Sequence, residues 1–179
     1  GNITITGNRT MDGSGGVGNI NLTGTSIVRT AGTDTLTLTA QSTDTISLGT
    51  VGATAAALGS LSIGGGVVRI AGDVFAAAQD YSAASSVTIS GSRLLDGSAG
   101  VGAINFGSTA IAGALASSDL TLKAQVTDTI SLAGVSVDQF SVLAGTARLS
   151  GDVTANAMVY AGSAVVIGDR ILSSDSITF

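Results

Sequence analysis

The 179-residue chain contains 26 Gly but no Pro, Cys, His or Trp, and its formal net charge is −5. The absence of Cys excludes disulfide bonds and thiolate sites. The seven Lys and Arg residues are scattered, and aromatic residues make up only 3% of the chain, a combination that argues against a nucleic-acid-binding surface.

The composition predicts an all-β protein. Every acidic residue is Asp and Lys123 is the single Lys, so the chain lacks the Glu and Lys that usually cover helix surfaces. Thr, Ser, Val, Ile and Gly are abundant, and these residues favour strands and tight turns. The apolar fraction of 44% is high enough to form a core. No apolar run approaches the roughly 20 residues of a membrane-spanning helix, which predicts no membrane span.

Alternating apolar and polar residues predict short strands throughout the chain. Many of these strands open with a Gly or Ser, then an Asn or Asp, then an apolar residue, as in Gly1-Asn2-Ile3 and Gly72-Asp73-Val74. Gly, Asn and Asp tolerate the left-handed backbone of a sharp corner, after which alternate side chains point inward. The predicted strands begin near Ile3, Asn19, Thr35, Thr45, Leu61, Val67 and Val87.

The sequence repeats itself over a long period. The segment "MDGSGGVGNINL" returns as "LDGSAGVGAINF", so that Asp96 corresponds to Asp12, and "RIAGDV" from Arg69 returns as "RLSGDV" from Arg148. Arg69 and Arg148 are closer together in the sequence than Asp12 and Asp96 are, which predicts a deletion in the "GTVGATAAALGS" region of the second repeat. Because loops tolerate deletions, we expect this region to be a loop. We therefore expect residues 1–179 to form a single β-solenoid segment of a longer repeat protein, with internal repeats 3–86 and 87–164 and a partial third repeat 165–179.

Two architectures use such a pattern. One is a right-handed parallel β-helix, here of six or seven coils of about 25 to 30 residues and about 30 Å long, with coils stacked about 4.8 Å apart. The other is a row of tandem immunoglobulin-like β-sandwich domains, since one repeat is close to the size of such a domain. Sandwiches usually contain Pro in turns and a large aromatic core residue, so the absence of Pro and Trp favours the β-helix.

Glycine-rich turns at two equivalent positions are the first candidate sites. Asp12 in "DGSGGVG" and Asp96 in "DGSAGVG" suggest a weak calcium site, but one carboxylate per turn cannot supply six to eight oxygen ligands unless neighbouring coils contribute. A phosphate loop would need a Lys after its glycines, and Asn19 follows Gly18 instead. A structural corner is the favoured interpretation.

Further Asp residues precede predicted strands, where Asp commonly fixes a turn by bonding its own backbone. A pair of catalytic carboxylates is the functional alternative, but each Asp is isolated and recurs once per repeat. We therefore predict no catalytic, cofactor-binding or metal-binding residue, and no enzyme activity. The Asp residues concerned are Asp44, Asp128, Asp73 and Asp152.

Recurring Arg and Thr residues suggest two further surfaces. The Arg residues are expected to pair weakly with neighbouring Asp. Thr rows such as Thr35, Thr37 and Thr39 resemble an ice-binding face, although the second copy replaces Thr39 by Lys123. The Arg residues are Arg9, Arg93, Arg170, Arg69 and Arg148, and the expected partners are Asp12, Asp96, Asp73 and Asp152.

The corner-and-strand runs "GNITITG", "SDLTLKA" and "GDVTANA" resemble the β-helical shaft of filamentous-haemagglutinin-type adhesins and giant bacterial surface proteins. The resemblance implies a secreted right-handed β-helix on the bacterial cell surface that holds binding regions away from the cell. We expect a non-enzymatic shaft of an adhesin, fibre or sheath. Self-association into a filament or surface layer is expected, as is a glycan or protein of a host or neighbouring cell as partner. The alternative is a β-helical polysaccharide lyase or hydrolase, or a carbohydrate-binding module.

Overall fold

The computed structural model describes residues 1–143 and 145–179, without the side chain of Val165. The described residues form 22 β-strands and no helix, and every strand pairing is parallel. The chain winds as a parallel β-solenoid of about eight turns. This confirms the predicted all-β class and β-helix architecture. The sandwich alternative is wrong, because the sheets of immunoglobulin-like domains are antiparallel.

Each turn passes through three stacks of strands. Three long strands bend through a corner and contribute to two stacks each, namely β3 (Ile20–Arg29), β5 (Thr45–Val51) and β8 (Val74–Ala83). The first stack contains β1 (Asn2–Ile5), the end of β3 (Ile20–Arg29), the end of β5 (Thr45–Val51), the start of β8 (Val74–Ala83), β10 (Arg93–Asp96), β13 (Leu120–Lys123), β16 (Gln139–Leu143), β19 (Ala157–Tyr160) and β22 (Ser176–Thr178). The second stack contains β2 (Arg9–Asp12), β4 (Thr35–Thr39), β6 (Leu58–Gly64), the rest of β8, β11 (Ile104–Asn105), β14 (Thr129–Leu132), β17 (Thr146–Leu149) and β20 (Ser163–Val166). The third stack contains the starts of β3 and β5, β7 (Val67–Ile70), β9 (Ser86–Ile89), β12 (Ile111–Gly113), β15 (Val135–Ser136), β18 (Val153–Thr154) and β21 (Leu172–Ser173).

The core consists of columns of inward side chains that run along the solenoid axis. Alternation along each short strand buries every second residue, as in β4, where Leu36 and Leu38 are buried and the three Thr are not. In-register parallel pairing then places each buried residue against its partner in the next coil. One such column joins Ile27, Val51, Val74, Leu95, Leu122 and Val142, and a second joins Ile46, Val68, Val87, Ile111, Val135 and Val153.

The coils are shorter and more variable than the sequence suggests. One coil runs from Arg9 to its register partner Leu36, whereas a later and much shorter coil runs from Thr129 to its partner Thr146. The chain therefore completes about eight turns rather than the predicted six or seven, and at about 4.8 Å per coil its length is about 38 Å.

Tight corners make the short coils possible. Between β6 and β7 the direction changes over Gly65 and Gly66, both with positive φ (75° and 67°). A Cβ atom at Gly65 would collide with the carbonyl oxygen of Ala40 in the preceding coil. The loop predicted from the deletion lies between β5 and β6, at residues 52–57.

The long sequence repeat does not keep its position around the axis. In the first stack, the column that begins at Ile3 reaches Val74 after three turns. Val87 is the sequence equivalent of Ile3, but it lies in the third stack, two strand segments after Val74 along the chain. Arg69 likewise lies in the third stack, whereas its equivalent Arg148 lies in the second. Each repeat thus advances by three and two-thirds turns, and equivalent residues of consecutive repeats face different directions.

A buried polar pair interrupts one apolar column. Gln79 occupies the position between Leu61 and Ile104 in the second stack. The hydroxyl of Tyr81 donates to Gln79 Oε1 at 3.0 Å, and Gln79 Nε2 donates to the carbonyl oxygen of Ala76 at 3.3 Å. Both side chains of the pair are fully buried.

The two buried tyrosines are expected to respond differently to loss of the hydroxyl group. Tyr81→Phe leaves Gln79 Oε1 without its partner in the core and should lower the free energy of unfolding by about 1 to 3 kcal/mol. The buried hydroxyl of Tyr160 has no hydrogen-bond partner among the described residues, so Tyr160→Phe should leave stability unchanged or raise it. Denaturant unfolding of the two variants measures the difference. Equal losses of stability in the two variants would contradict a stabilising hydrogen bond between Tyr81 and Gln79.

Candidate functional site

The glycine-rich turns at Asp12 and Asp96 have the same internal hydrogen bonds. Oδ1 of each Asp accepts from the backbone N–H (2.8 Å) and the hydroxyl (2.5 Å) of the Ser two residues later, Ser14 or Ser98. The Ser14 hydroxyl is the main cause that lowers the pKa of Asp12. These contacts are those of a side chain that stabilises a corner.

A cation at the second turn would compete with an ion pair. Lys123 Nζ lies 3.1 Å from Asp96 Oδ2. Burial raises the pKa of Asp96, but hydrogen bonds from Ser98 and Lys123 outweigh burial, so the pKa is lowered overall. Among residues 1–143 and 145–179, no three Asp side chains converge into a group that could hold a metal ion. Asp12 and Asp96 themselves lie in different stacks.

The Asp residues before the strands connect neighbouring coils. Oδ2 of Asp44 and of Asp128 each accepts from a backbone N–H 26 residues earlier, at 3.1 Å in both cases. Oδ1 of Asp73 accepts from the N–H of Leu94, and Oδ1 of Asp152 from that of Ile171, both at 3.0 Å. The sequence interpretation assigned these carboxylates to their own turns, whereas the structure uses them between coils, because parallel winding places residues one coil apart side by side.

Asp34 is a structural carboxylate that the sequence interpretation missed. It is only 3% exposed, and it accepts hydrogen bonds from the N–H groups of Ala31, Thr30 and Gly7 at 2.8 to 3.0 Å. At the corresponding corner of the second repeat, the hydroxyl oxygen of the buried Ser118 accepts from the N–H of Leu115 at 3.1 Å. The sequence did contain a signal for this role: Asp34 and Ser118 occupy equivalent positions of the two repeats, and both have a short side chain with an acceptor oxygen.

Asp34→Asn is expected to lower the melting temperature at pH 7, because an amide NH₂ would face backbone N–H donors. The Ala31 N–H is the main cause that lowers the pKa of Asp34. A lowered folded-state pKa gives stability that is present above the unfolded value near 3.8 and is lost as the pH falls through the folded-state value. The stability difference between wild type and Asp34→Asn should therefore shrink below about pH 4. Asp169→Asn, at an exposed position, is the control and should melt like the wild type. A stability difference between wild type and Asp34→Asn that does not change with pH would contradict the role of the Asp34 carboxylate as a hydrogen-bond acceptor.

The Arg residues do not form the expected ion pairs. Within the described part of the chain, Lys123–Asp96 is the single ion pair. Nε of Arg93 instead donates to the carbonyl oxygen of Ser90 at 2.7 Å, and Nε of Arg170 donates to that of Ile167 at 3.1 Å. Both Arg side chains therefore close a corner by bonding the carbonyl group three residues earlier. The carbonyl groups are closer to these Arg side chains than the carboxylates of the expected Asp partners.

The Thr rows do not continue along the axis. Thr37 has Thr10 on one side, but Ser62 and then Asp80 on the other. Ice-binding faces need regular ranks of identical hydroxyl groups, and this rank changes to Ser at its third member and ends at the charged Asp80, its fourth member. The ice-binding interpretation, already disfavoured by the change from Thr39 to Lys123 in the second copy, therefore gains no continuous surface from this row.

The outer surface of the third stack contains a groove around Arg69, and we regard it as the candidate site. Cavities of about 250 and 310 Å³ share Ser47 and Arg69. The groove lining consists of small polar or small apolar residues apart from Arg69, and none of them is acidic. The lining residues are Asn19, Asn21, Thr23, Thr45, Ser47, Arg69, Ala71, Thr88, Ser90 and Ala114.

A second surface cavity of about 390 Å³ lies on the first stack and has both signs of charge in its lining. Arg93 and Lys123 line it together with Asp73 and Asp119. Several of these groups already have partners: Lys123 pairs with Asp96, and Asp119 Oδ2 accepts from the Ser92 hydroxyl at 2.7 Å. The charged group of the Arg69 groove has no ion-pair partner among the described residues, so the Arg69 groove is the better candidate for ligand binding.

Within the described residues, no helix has the length and hydropathy needed to cross a bilayer. Comparisons with protein-family models, with curated proteins and with solved structures found no match to this chain.

Proposed function

We propose that this chain is a non-enzymatic structural shaft, a β-solenoid segment of a secreted bacterial surface adhesin, fibre or sheath. The observation that carries the proposal is the continuity of the inward columns through the coils. The column from Ile27 to Val142 has no exposed member, and the column from Ile46 to Val153 has none either. A rod whose core is continuous along its axis is suited to hold other regions at a distance.

The energetics of the columns support a mechanical role. Each fully buried aliphatic side chain contributes on the order of 1.5 to 3 kcal/mol before conformational entropy is counted. Each coil also pairs its backbone with the coils before and after it, so adjacent coils stabilise each other. Deforming one coil therefore disturbs two interfaces, which gives the rod stiffness along its axis.

Location outside the cell is part of the proposal. The corner-and-strand runs resemble the shafts of exported adhesins. We expect an antibody against residues 1–179 to label intact, unpermeabilised cells of the source organism. Labelling that appears only after permeabilisation would contradict a surface location.

End-to-end association is the assembly that the exposed columns favour. In the first stack, Phe140 and Met158 are buried, but Ile177, the next member of their column, is 38% exposed. Phe179 stacks on Tyr160 with ring centroids 5.5 Å apart and is 78% exposed. Ile177 and Phe179 thus form an exposed apolar surface at this end of the stacked coils. We propose that a second copy of residues 1–179 covers this surface.

A charge at the end of the column tests this assembly. Ile177→Lys should abolish concentration-dependent rods of residues 1–179, observed by light scattering and negative-stain electron microscopy, because a buried lysine without a partner is costly. Val159→Lys is the matched control: Val159 is 36% exposed but lies on an outward row next to Ser141. Rods should persist in this control. Association that survives Ile177→Lys, or that both variants abolish, would contradict end-to-end contact.

A further inference from the structure

We propose that the Arg69 groove on the third stack binds an acidic polysaccharide, with a sugar carboxylate or sulfate at Arg69 and sugar hydroxyls along the neighbouring polar row. This activity goes beyond the role of a shaft. It assigns a ligand class to one face of the rod.

The first argument is the chemistry of Arg69. Its side chain is exposed on the third stack, and it forms no ion pair with the described residues. A guanidinium group presents paired N–H donors that match a carboxylate or sulfate, and bonds of this kind are among the strong ones in proteins. No carboxylate among the groove residues competes for it.

The second argument is that the neighbouring groups are oriented as donors. Oδ1 of Asn21 accepts from the N–H and the hydroxyl of Thr23, at 3.1 and 2.7 Å. Oδ1 of Asn19 accepts from the N–H of Thr45 at 2.8 Å. Because the amide oxygens are used internally, both Nδ2 groups remain available as donors to a ligand. A donor-rich groove favours an anionic or hydroxylated ligand.

The third argument is the regular spacing of the polar row. Asn21, Ser47, Arg69 and Thr88 are register partners on four successive coils, so the row extends about 14 Å at about 4.8 Å per step. A chain of sugars can bond to such a row at several points. A peptide would find no apolar pocket for its side chains, because the apolar lining consists of Ala71 and Ala114.

The chain provides its own matched control. Arg148 has nearly the same local sequence as Arg69, "RLSGDV" against "RIAGDV", and is also exposed. It lies on the second stack beside Ser131, on a different face of the rod. Non-specific attraction of a polyanion should depend on both Arg residues, whereas the groove depends on Arg69.

The test is a titration of isotope-labelled residues 1–179 with oligogalacturonate, dextran sulfate and neutral dextran, followed by NMR. We expect saturable shifts at the backbone amides of Ser47, Arg69 and Thr88 with at least one of the two acidic polymers and none with dextran. Binding to oligogalacturonate alone identifies a carboxylate ligand, and binding to dextran sulfate alone identifies a sulfate ligand. Arg69→Ala should weaken binding by about tenfold or more, and Arg148→Ala by less than about twofold.

Asn21→Asp is a second variant that keeps the acceptor for Thr23 but adds a negative charge, and it should also weaken binding. Because Arg69 and Arg148 are exposed, we expect Arg69→Ala and Arg148→Ala to fold, and a circular dichroism melt of each variant checks this. Absence of saturable binding to both acidic polymers would overturn the proposal. Equal weakening by Arg69→Ala and Arg148→Ala would overturn it as well.

Discussion

Gly72→Ala is expected to lower the free energy of unfolding by about 3 kcal/mol. Gly72 lies at the corner before β8, where an added Cβ would overlap backbone atoms of Gly49 and Thr50 in the preceding coil. Backbone atoms of a packed coil cannot move aside as the end of a flexible side chain can. The equivalent residue Gly151 has the same close approach, to Ala133 and Gly134, so Gly151→Ala should have a similar effect.

Gly18→Ala is the matched control for this experiment. No heavy atom lies within 4 Å of its added Cβ, and its N–H can still donate to Asp44. This substitution should leave stability unchanged or raise it by up to about 1 kcal/mol, because alanine reduces the entropy of the unfolded chain. Urea unfolding followed by circular dichroism measures all three variants. Equal stability of Gly72→Ala and Gly18→Ala would contradict the close stacking of coils at this corner.

Phe106→Ala should be comparably damaging, with a loss of about 3 to 5 kcal/mol. The Phe106 ring is fully buried and stacks on Tyr81, with ring centroids 4.9 Å apart and an interplanar angle of 13°. The substitution removes the ring that stacks on Tyr81 and leaves a cavity in a close-packed core. Differential scanning calorimetry and denaturant unfolding should agree on the loss.

Phe179→Ala provides the comparison for this aromatic pair. Phe179 also stacks on a tyrosine, Tyr160, but it is 78% exposed. In dilute protein the loss should be below about 1.5 kcal/mol, the value of an aromatic pair. A loss at Phe179 as large as at Phe106 would mean that the end of the rod is already covered in dilute solution.

The strands and their inward faces were predictable because local chemistry determines them. In Thr35–Thr39, alternation alone identifies Leu36 and Leu38 as core residues. The absence of Glu and the abundance of Thr, Ser, Val, Ile and Gly were enough to predict the all-β class, and the absence of Pro and Trp favoured the β-helix over the sandwich. These features depend only on side-chain period and backbone tolerance.

The number of coils and the placement of the repeats could not be derived in the same way. A coil closes over the short stretch from Thr129 to Thr146 but needs the longer stretch from Arg9 to Leu36 near the start of the chain, and the sequence signals each corner without giving its angle. Small differences in corner length accumulate over a repeat until Arg69 and Arg148 face different directions. Sequence equivalence suggested one surface for both residues, and the winding of the chain separates them.

The hydrogen-bond partners of the polar side chains depended on the same winding. Asp73 was expected to bond its own turn, but its partner is the N–H of Leu94, 21 residues away. Gln79 lies in an inward column that is otherwise apolar from Leu36 to Ala147, and its hydrogen bonds to the Tyr81 hydroxyl and the Ala76 carbonyl oxygen explain its burial. Partners on adjacent coils become visible only when the length of each coil is known.

Hydrogen–deuterium exchange of residues 1–179 at low and high protein concentration tests the shaft and its end-to-end contact most directly. Amides of the interior strands, such as β4 and β13, should exchange slowly at both concentrations, because each of these strands is paired on two sides. Amides of β1 and β22 should exchange quickly in dilute protein and become protected at high concentration. Exchange at β1 and β22 that does not change with protein concentration would contradict end-to-end association. New protection confined to an outward-facing row, such as that of Val159, would contradict it as well.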